Sequence, residues 1–138
     1  MGKKILCALL SVAMVATLLV GCGGAGKAKG GKKVGVAMPT QSSERWINDG
    51  SNMKSQLEEL GYTVDLQYAE DDVQMQVSQV ENLIAKKVSC LVVAAIDSGA
   101  LVNVLAQAKE ANIPVIAYDR LLMDTDAVSY YATFDNKG

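Results

Sequence analysis

The sequence predicts an α/β domain in which helices cover both faces of a parallel β-sheet. From about residue 32 onward, stretches with strand spacing alternate with stretches with helix spacing, and this alternation is typical of β-α-β units. Residues 90–96 are apolar without interruption, as expected for a central parallel strand buried on both faces. The 138 residues suffice for one domain with a substantial core. The five predicted strands start near residues 32, 62, 90, 113 and 128.

The first predicted strand covers residues 32–38, a short apolar run with β-branched residues that ends at Pro39. Ser42 or Ser43 is expected to cap the following helix, and Gly61 is expected to end it. The side chains predicted to form the buried face of this helix, at spacings of three and four, are Trp46, Gly50, Met53, Leu57 and Leu60.

The second predicted strand, residues 62–68, alternates apolar and polar side chains, which favours a half-covered strand toward the edge of the sheet. Asp71 and Gln74 match a capping box at the start of the next helix. The side chains of this helix predicted to face the core are Val73, Val77, Val80 and Ile84, and those predicted to face outward include Gln76 and Gln79.

The remaining chain continues the alternation. Residues 97–99 form a predicted turn, and an apolar stripe within 101–108 predicts a third helix. Residues 113–118 read as a fourth strand with a proline near its start, where proline is tolerated. A polar loop over 119–126 leads to a fifth predicted strand, 128–133.

The N-terminus has the pattern of an export signal. Residues 1–21 combine two lysines with a long apolar run, which is typical of a signal peptide. Small residues directly precede Cys22 and resemble the lipobox of bacterial lipoproteins, in which the cysteine is lipidated and becomes the mature N-terminus. Residues 22–31 are glycine-rich and predict a flexible tether, followed by the folded domain over 32–138. A signal peptide with a chance cysteine and a plain membrane anchor are the alternatives.

The composition argues against several classes of function. The chain has no histidine, which removes the commonest general base and zinc ligand. Cys7, Cys22 and Cys90 are too far apart for a metal-binding cysteine motif. The formal net charge is -2, and no basic patch points to nucleic acid. The first predicted turn also lacks a glycine-rich nucleotide motif, so we expect no enzyme, no cofactor and no bound metal.

Polar and aromatic side chains follow several of the predicted strands. Ligands of open parallel sheets bind outside the carboxyl ends of the strands. Carboxylates and amides accept hydrogen bonds from sugar hydroxyls, arginine donates several, and an aromatic ring can cover the apolar face of a sugar. The side chains expected to share this edge are Arg45, Trp46, Asp97, Asp119, Arg120, Asp135 and Asn136.

Several of these side chains also have an ordinary structural explanation. Trp46 can be a core residue of its helix. Asp119 and Arg120 can form a surface ion pair. Asp97 can simply cap the third helix, and we favour that role for it. The hypothesis of a site therefore depends on several groups meeting at one edge.

The sequence from about Lys33 onward resembles the sugar-binding proteins of bacterial ABC importers, in the xylose-binding and multiple-monosaccharide-binding branch. The segments that carry the resemblance are Val-Gly-Val-Ala-Met-Pro-Thr at 34–40, Ser-Glu-Arg-Trp at 43–46, Gln-Val-Glu-Asn-Leu-Ile at 79–84, Val-Ile-Ala-Tyr-Asp-Arg-Leu at 115–121 and Tyr-Tyr-Ala-Thr-Phe-Asp-Asn at 130–136.

This resemblance implies a type I periplasmic binding protein fold, of which this chain would be an incomplete, Rossmann-like N-terminal lobe. It implies capture of a xylose-, glucose-, galactose- or arabinose-like sugar for an ABC permease, and the lipobox-like N-terminus adds a lipid anchor on the extracytoplasmic face of the cell membrane. The residues implied to bind the sugar are Arg45, Trp46, Asp119, Arg120 and Asn136, with Asp135 a weaker candidate. A sensor that presents sugar to a chemoreceptor or sensor kinase, and a truncated fragment without function, are the alternatives.

Overall fold

The computed structural model describes residues 31–133. The predicted signal peptide, Cys22 and tether, and the candidate site residues Asp135 and Asn136, lie outside the described residues. The elements in chain order are β1 (Lys33–Met38), α1 (Glu44–Glu59), β2 (Thr63–Tyr68), α2 (Val73–Ala85), β3 (Cys90–Val93), α3 (Ser98–Glu110), β4 (Val115–Tyr118) and β5 (Val128–Ala132). Across residues 31–133 no helix combines the length and apolar character that crossing a membrane requires.

All five strands form one parallel sheet in the order β2-β1-β3-β4-β5. The predicted fold class is therefore confirmed, and so is the edge position of β2. Because the strands are parallel, their carboxyl ends all lie along one edge of the sheet. We call this edge the carboxyl edge, and the opposite one the amino edge.

Helices cover both faces of the sheet. Alternate side chains of a strand point to opposite faces, and accordingly Leu91 and Val93 pack in one cluster with α2 and α3. Val92 packs in a second cluster with α1, which also contains Val36 and Trp46. The predicted stripe of α1 is correct for Trp46 and Gly50, which are buried. It is wrong at Leu60, which is 75% exposed because it lies beyond the last turn of the helix.

The start of α2 differs from the prediction. Asp72 rather than Asp71 is the N-cap, and its carboxylate accepts a hydrogen bond from the Met75 N–H at 2.9 Å. Asp71 adopts a left-handed backbone (φ 61°) in the preceding turn. Ser43 occupies the N-cap position of α1 but makes no capping hydrogen bond with its side chain.

Two further predictions fail near the carboxyl end of β3. The apolar run continues to Ile96, but the strand ends at Val93. Gln76, predicted to face outward from α2, is only 1% exposed. The two errors are linked, because the Gln76 amide contacts the main chain just beyond β3.

Candidate functional site

The structure brings four of the predicted site residues together at the carboxyl edge. Arg45 and Trp46 lie in the first turn of α1, and Asp119 and Arg120 directly follow β4. Nη2 of Arg45 donates to Oδ1 of Asp119 at 2.5 Å. The guanidinium carbons of Arg45 and Arg120 lie 4.7 Å and 5.1 Å from the centroid of the Trp46 ring, within the range of a cation–π contact.

Trp46 belongs to both the core and the edge. The side chain is 6% exposed and packs with apolar residues of the α1 cluster, while two arginines stand over its ring. The Tyr68 hydroxyl donates to the Trp46 carbonyl at 3.3 Å. Gly50 makes room for the Tyr68 side chain, because a Cβ at that position would lie 2.4 Å from the Tyr68 hydroxyl oxygen. The core explanation for Trp46 and the site explanation are therefore compatible.

Arg45 is held between two carboxylates. Besides its bond to Asp119, its Nε lies 3.6 Å from Oδ2 of Asp49, one turn further along α1. The hydrogen bond to Asp119 is the main cause that raises the pKa of Arg45 above its ordinary value. Sequence reasoning missed Asp49, although its spacing of four residues from Arg45 indicates a helical ion pair.

Asp119 has an unusual backbone. Its φ is +64°, a left-handed conformation that costs free energy in a residue with a side chain. The Arg120 N–H donates to the Tyr118 carbonyl at 2.7 Å across it, which closes a γ-turn. The Asp119 N–H donates to the Ala132 carbonyl at 2.7 Å, and the Tyr131 hydroxyl donates to the Asp119 carbonyl at 3.0 Å. β5 thus holds the turn that aims the carboxylate at Arg45.

Arg120 does not pair with its neighbour Asp119, so the surface ion pair between them is not formed. Instead, Nη1 of Arg120 donates to the carbonyl of Ala95 at 2.7 Å. Asp97, the other charged residue expected in this region, accepts hydrogen bonds from the N–H groups of Gly99 and Ala100 and caps α3. The capping role that we favoured for Asp97 is confirmed.

Tyr118 is a second residue that sequence reasoning missed. Burial, followed by the negative charge and a hydrogen bond of Asp49, raises the pKa of Tyr118 to about 12, so the phenol is neutral at physiological pH. It lies at the last position of β4, and a tyrosine inside an apolar strand gives no separate signal of a site in the sequence.

The chemistry of this cluster suits an uncharged polyol. Carboxylates accept hydrogen bonds, guanidiniums and a phenol donate them, and an indole ring provides an apolar surface. Among residues 31–133 there is no group of three or more histidine, cysteine, aspartate or glutamate side chains placed to hold a metal ion.

Comparison with known proteins identifies curated relatives. Over 103 residues the chain is 56% identical to the multiple sugar-binding periplasmic protein SbpA of Azospirillum brasilense, a match covering 75% of this chain and 29% of that protein. The multiple sugar-binding periplasmic receptor ChvE of Rhizobium radiobacter is 55% identical over the same length, with the same coverage. The D-xylose-binding periplasmic protein of Escherichia coli is 37% identical over 105 residues, 76% of this chain and 32% of that protein.

Solved structures show the same relationship. An ABC transporter solute-binding protein from Clostridium phytofermentans with bound β-D-glucose superposes with a TM-score of 0.74 at 63% identity, covering 76% of this chain and 32% of that one. A carbohydrate transporter solute-binding protein from Chloroflexus aurantiacus in complex with D-glucose has a TM-score of 0.68 at 37% identity, covering 74% of this chain and 30% of that one.

The chain spans about a third of the length of these relatives. The match to a family model covers most of the chain, residues 34–138, and the model describes a periplasmic binding protein domain. The relatives, the neighbouring structures and the parallel sheet agree with this match. The chain therefore belongs to the periplasmic binding protein domain family.

Proposed function

We propose that this chain forms one lobe of an extracytoplasmic solute-binding protein that captures a monosaccharide and delivers it to an ABC permease. The observation that carries the proposal is the cluster of Arg45, Trp46, Asp119 and Arg120 at the carboxyl edge. Two findings support it: the curated relatives are named as sugar-binding proteins, and two of the similar solved structures contain bound glucose. The protein carries out no reaction on the sugar.

In the proposed site Asp119 accepts hydrogen bonds from sugar hydroxyls, while the two guanidiniums donate to them. Because Arg45 already fixes the Asp119 carboxylate, little side-chain entropy remains to be lost when a sugar arrives. The small exposed part of Trp46, 6% of its surface, provides the apolar contact. Asp135 and Asn136 complete the proposed set, since they follow β5 on the same edge of the sheet.

The side chains of Arg45 and Arg120 are exposed, and the relatives are about two and a half times as long as this chain. We propose that a second lobe supplies the opposite wall and closes over the sugar, as in hinged two-lobe proteins. A sugar that touches one wall alone leaves half of its hydroxyls in water and gains little affinity.

The test is isothermal titration of D-glucose, D-xylose, D-galactose and L-arabinose against a chimera in which residues 34–138 replace the homologous segment of the Azospirillum brasilense protein. We expect saturable binding of at least one sugar. Asp119→Asn should weaken it about tenfold to a hundredfold, because a charge-assisted acceptor and its pairing to Arg45 are lost.

Asp124→Asn is the matched control. Asp124 lies in the same loop and also has a left-handed backbone, with φ of 58°, but its side chain is not part of the cluster. Its substitution should leave affinity within about twofold. A folded chimera that binds none of the four sugars, or equal losses for the two variants, would contradict the proposal.

We further propose that Cys22 carries a lipid anchor after removal of residues 1–21. Two acyl signals suffice for stable attachment to a membrane, so the mature protein should sediment with membranes. Cys22→Ser should move it to the soluble fraction or leave the signal peptide uncut, whereas the control Cys7→Ser should change neither. A Cys22→Ser protein that is processed and still sediments with membranes would rule out this anchor.

Sensing is a second candidate, because one of the relatives is a sugar-binding receptor. A sensor would use the same sugar site as an importer subunit and would differ from it in the protein that the sugar-bound form contacts. A gene deletion that abolishes sugar-induced transcription but leaves sugar uptake intact would favour the sensor over the importer.

A further inference from the structure

Gln76 is a polar side chain in the core of the domain. It lies in the first turn of α2 and is 1% exposed. Its Nε2 donates to the carbonyl of Ala94 at 2.9 Å, and its Oε1 accepts from the N–H of Ile96 at 2.9 Å. Both ends of the amide are thus used, and an apolar residue here would leave two main-chain groups without these partners.

These two bonds have the pattern of a parallel strand. In a parallel ladder one residue donates to the carbonyl before its partner and accepts from the N–H after it. The Gln76 amide does the same on either side of Ala95, beyond the point where β3 ends at Val93. The side chain therefore takes the place of a missing strand neighbour and fixes the course of residues 94–96.

The fixed segment carries a contact to the proposed sugar site. The carbonyl of Ala95 accepts the bond from Nη1 of Arg120 at 2.7 Å. The Arg120 guanidinium in turn lies 5.1 Å from the Trp46 ring centroid. One buried amide is thus connected to the carboxyl edge through a single peptide carbonyl.

We infer that Gln76 is a positioning residue of the sugar site, which holds Arg120 in place through the carbonyl of Ala95. This inference rests on the proposed function and deepens it. Arg120 is exposed and long, and such a side chain loses rotamer freedom when it binds a ligand. A fixed acceptor for the guanidinium restricts that freedom before the sugar arrives and so favours binding. Gln76 itself does not touch the sugar.

The first test compares Gln76→Leu with Val80→Ala in the chimera, using D-glucose as the probe. Val80 lies one turn along α2 and is fully buried, so its truncation destabilises the domain but leaves the two hydrogen bonds of Gln76 to residues 94–96 in place. We expect Gln76→Leu to weaken D-glucose binding about tenfold, as for loss of one preorganised contact, while Val80→Ala stays within about twofold. Equal affinities for Gln76→Leu and the parent would overturn the inference.

The second test needs no sugar. Trp46 is the one tryptophan of the chain, so acrylamide quenching of its fluorescence in the mature chain reports on how well the ring is shielded, in part by Arg120. We expect Arg120→Leu and Gln76→Leu each to raise the quenching constant. The double variant should have a quenching constant no higher than that of either single variant, because both substitutions remove the same contact. Additive increases, or no change for Gln76→Leu, would refute the role of Gln76.

The two tests separate the possible failures. A parent chimera that binds no D-glucose counts against the proposed function for that sugar, while the quenching cycle still decides whether Gln76 positions Arg120. Gln76→Met, which keeps the shape of the side chain without its amide, replaces Gln76→Leu in both tests if circular dichroism shows that the leucine variant does not fold.

Discussion

At the amino edge of the sheet all three helices end alike, whereas at the carboxyl edge the segments that carry Arg45, Asp119 and Arg120 are joined by long-range contacts. Gly61, Lys87 and Asn112 follow the three helices with left-handed φ values of 91°, 54° and 56°. After each helix the same two main-chain bonds recur, for example from Tyr62 N to Leu57 O and from Gly61 N to Glu58 O, both at 3.0 Å. This is the Schellman motif, and it involves only neighbours in sequence.

The contacts of the carboxyl edge join residues that are distant in sequence. Arg45 and Asp119 are 74 residues apart, and Arg120 and Ala95 are 25 apart. The helix ends at the amino edge therefore depend on neighbouring residues, whereas the contacts of Arg45, Asp119 and Arg120 at the carboxyl edge depend on the assembled sheet. Substitutions at the amino edge should therefore change stability, and substitutions at the carboxyl edge should change binding.

The largest expected effect concerns how much of the site one lobe provides. We expect residues 23–138 alone to bind D-glucose or D-xylose at least about a hundredfold more weakly than the chimera, because one wall supplies only part of the desolvated contacts. Titration calorimetry of both proteins measures the difference. A micromolar or tighter dissociation constant for the single lobe would show that the carboxyl edge is sufficient by itself.

The next effect tests the amino edge. Gly61→Ala should lower the free energy of unfolding by about 1 kcal/mol, because alanine resists a left-handed backbone. No atom lies within 4 Å of a Cβ built at Gly61, so steric contact adds nothing. Lys87→Gly should raise stability by about 1 kcal/mol for the same reason.

Thermal unfolding measures both changes, and neither variant should alter sugar affinity in the chimera. If Lys87→Gly destabilised the protein, the Lys87 side chain would have a role that its left-handed backbone does not account for. A loss of sugar affinity in either variant would contradict the expectation that substitutions at the amino edge change stability alone.

The smallest expected effect is a pH dependence. Hydrogen bonds from Gln67 and from Lys86 lower the pKa of Asp65 below its ordinary value. Because the folded-state pKa is the lower one, the stabilisation is present above the unfolded pKa of about 4 and is lost as pH falls through the folded value.

Since Lys86 is half exposed, we expect Asp65→Asn to remove no more than about 1 kcal/mol of pH-dependent stability. Urea unfolding between pH 7 and pH 3 measures it. Asp126→Asn is the comparison: Lys109 also lowers the pKa of Asp126, but Asp126 is 84% exposed, so solvent should screen this pair and leave a smaller pH dependence. An equal change of slope for Asp126→Asn would assign the effect to general surface charge.

Much of the fold could be predicted from the sequence because its signals are local. The apolar run of β3, the alternation of β2 and the glycine after α1 each follow from neighbouring residues. Gln76 could not be predicted, because its polarity indicates a solvent-facing position and its partners lie beyond β3. The end of β3 could not be predicted either, because residues 94–96 are as apolar as the strand itself and give no signal that it stops at Val93.

The candidate site was predicted in part. Arg45, Trp46, Asp119 and Arg120 could be proposed because they directly follow strands, and the topology of a parallel sheet brings such positions together. Which of these residues pair could not be derived from the sequence. The adjacent Asp119 and Arg120 suggest an ion pair with each other, but after the γ-turn at Asp119 they bind Arg45 and the Ala95 carbonyl instead. The contact between Asp49 of α1 and Tyr118 of β4 could not be predicted, because it depends on how the helix and the strand pack against each other.

The separation of 74 residues between Arg45 and Asp119 has a consequence for the order of folding. Each helix and its Schellman end can form within microseconds from neighbouring residues. The two charged partners meet only after β1, β3 and β4 have paired side by side, which requires the closure of long chain loops. The helices should thus form early, and the contact between Arg45 and Asp119 should form late, after the strands between them have paired.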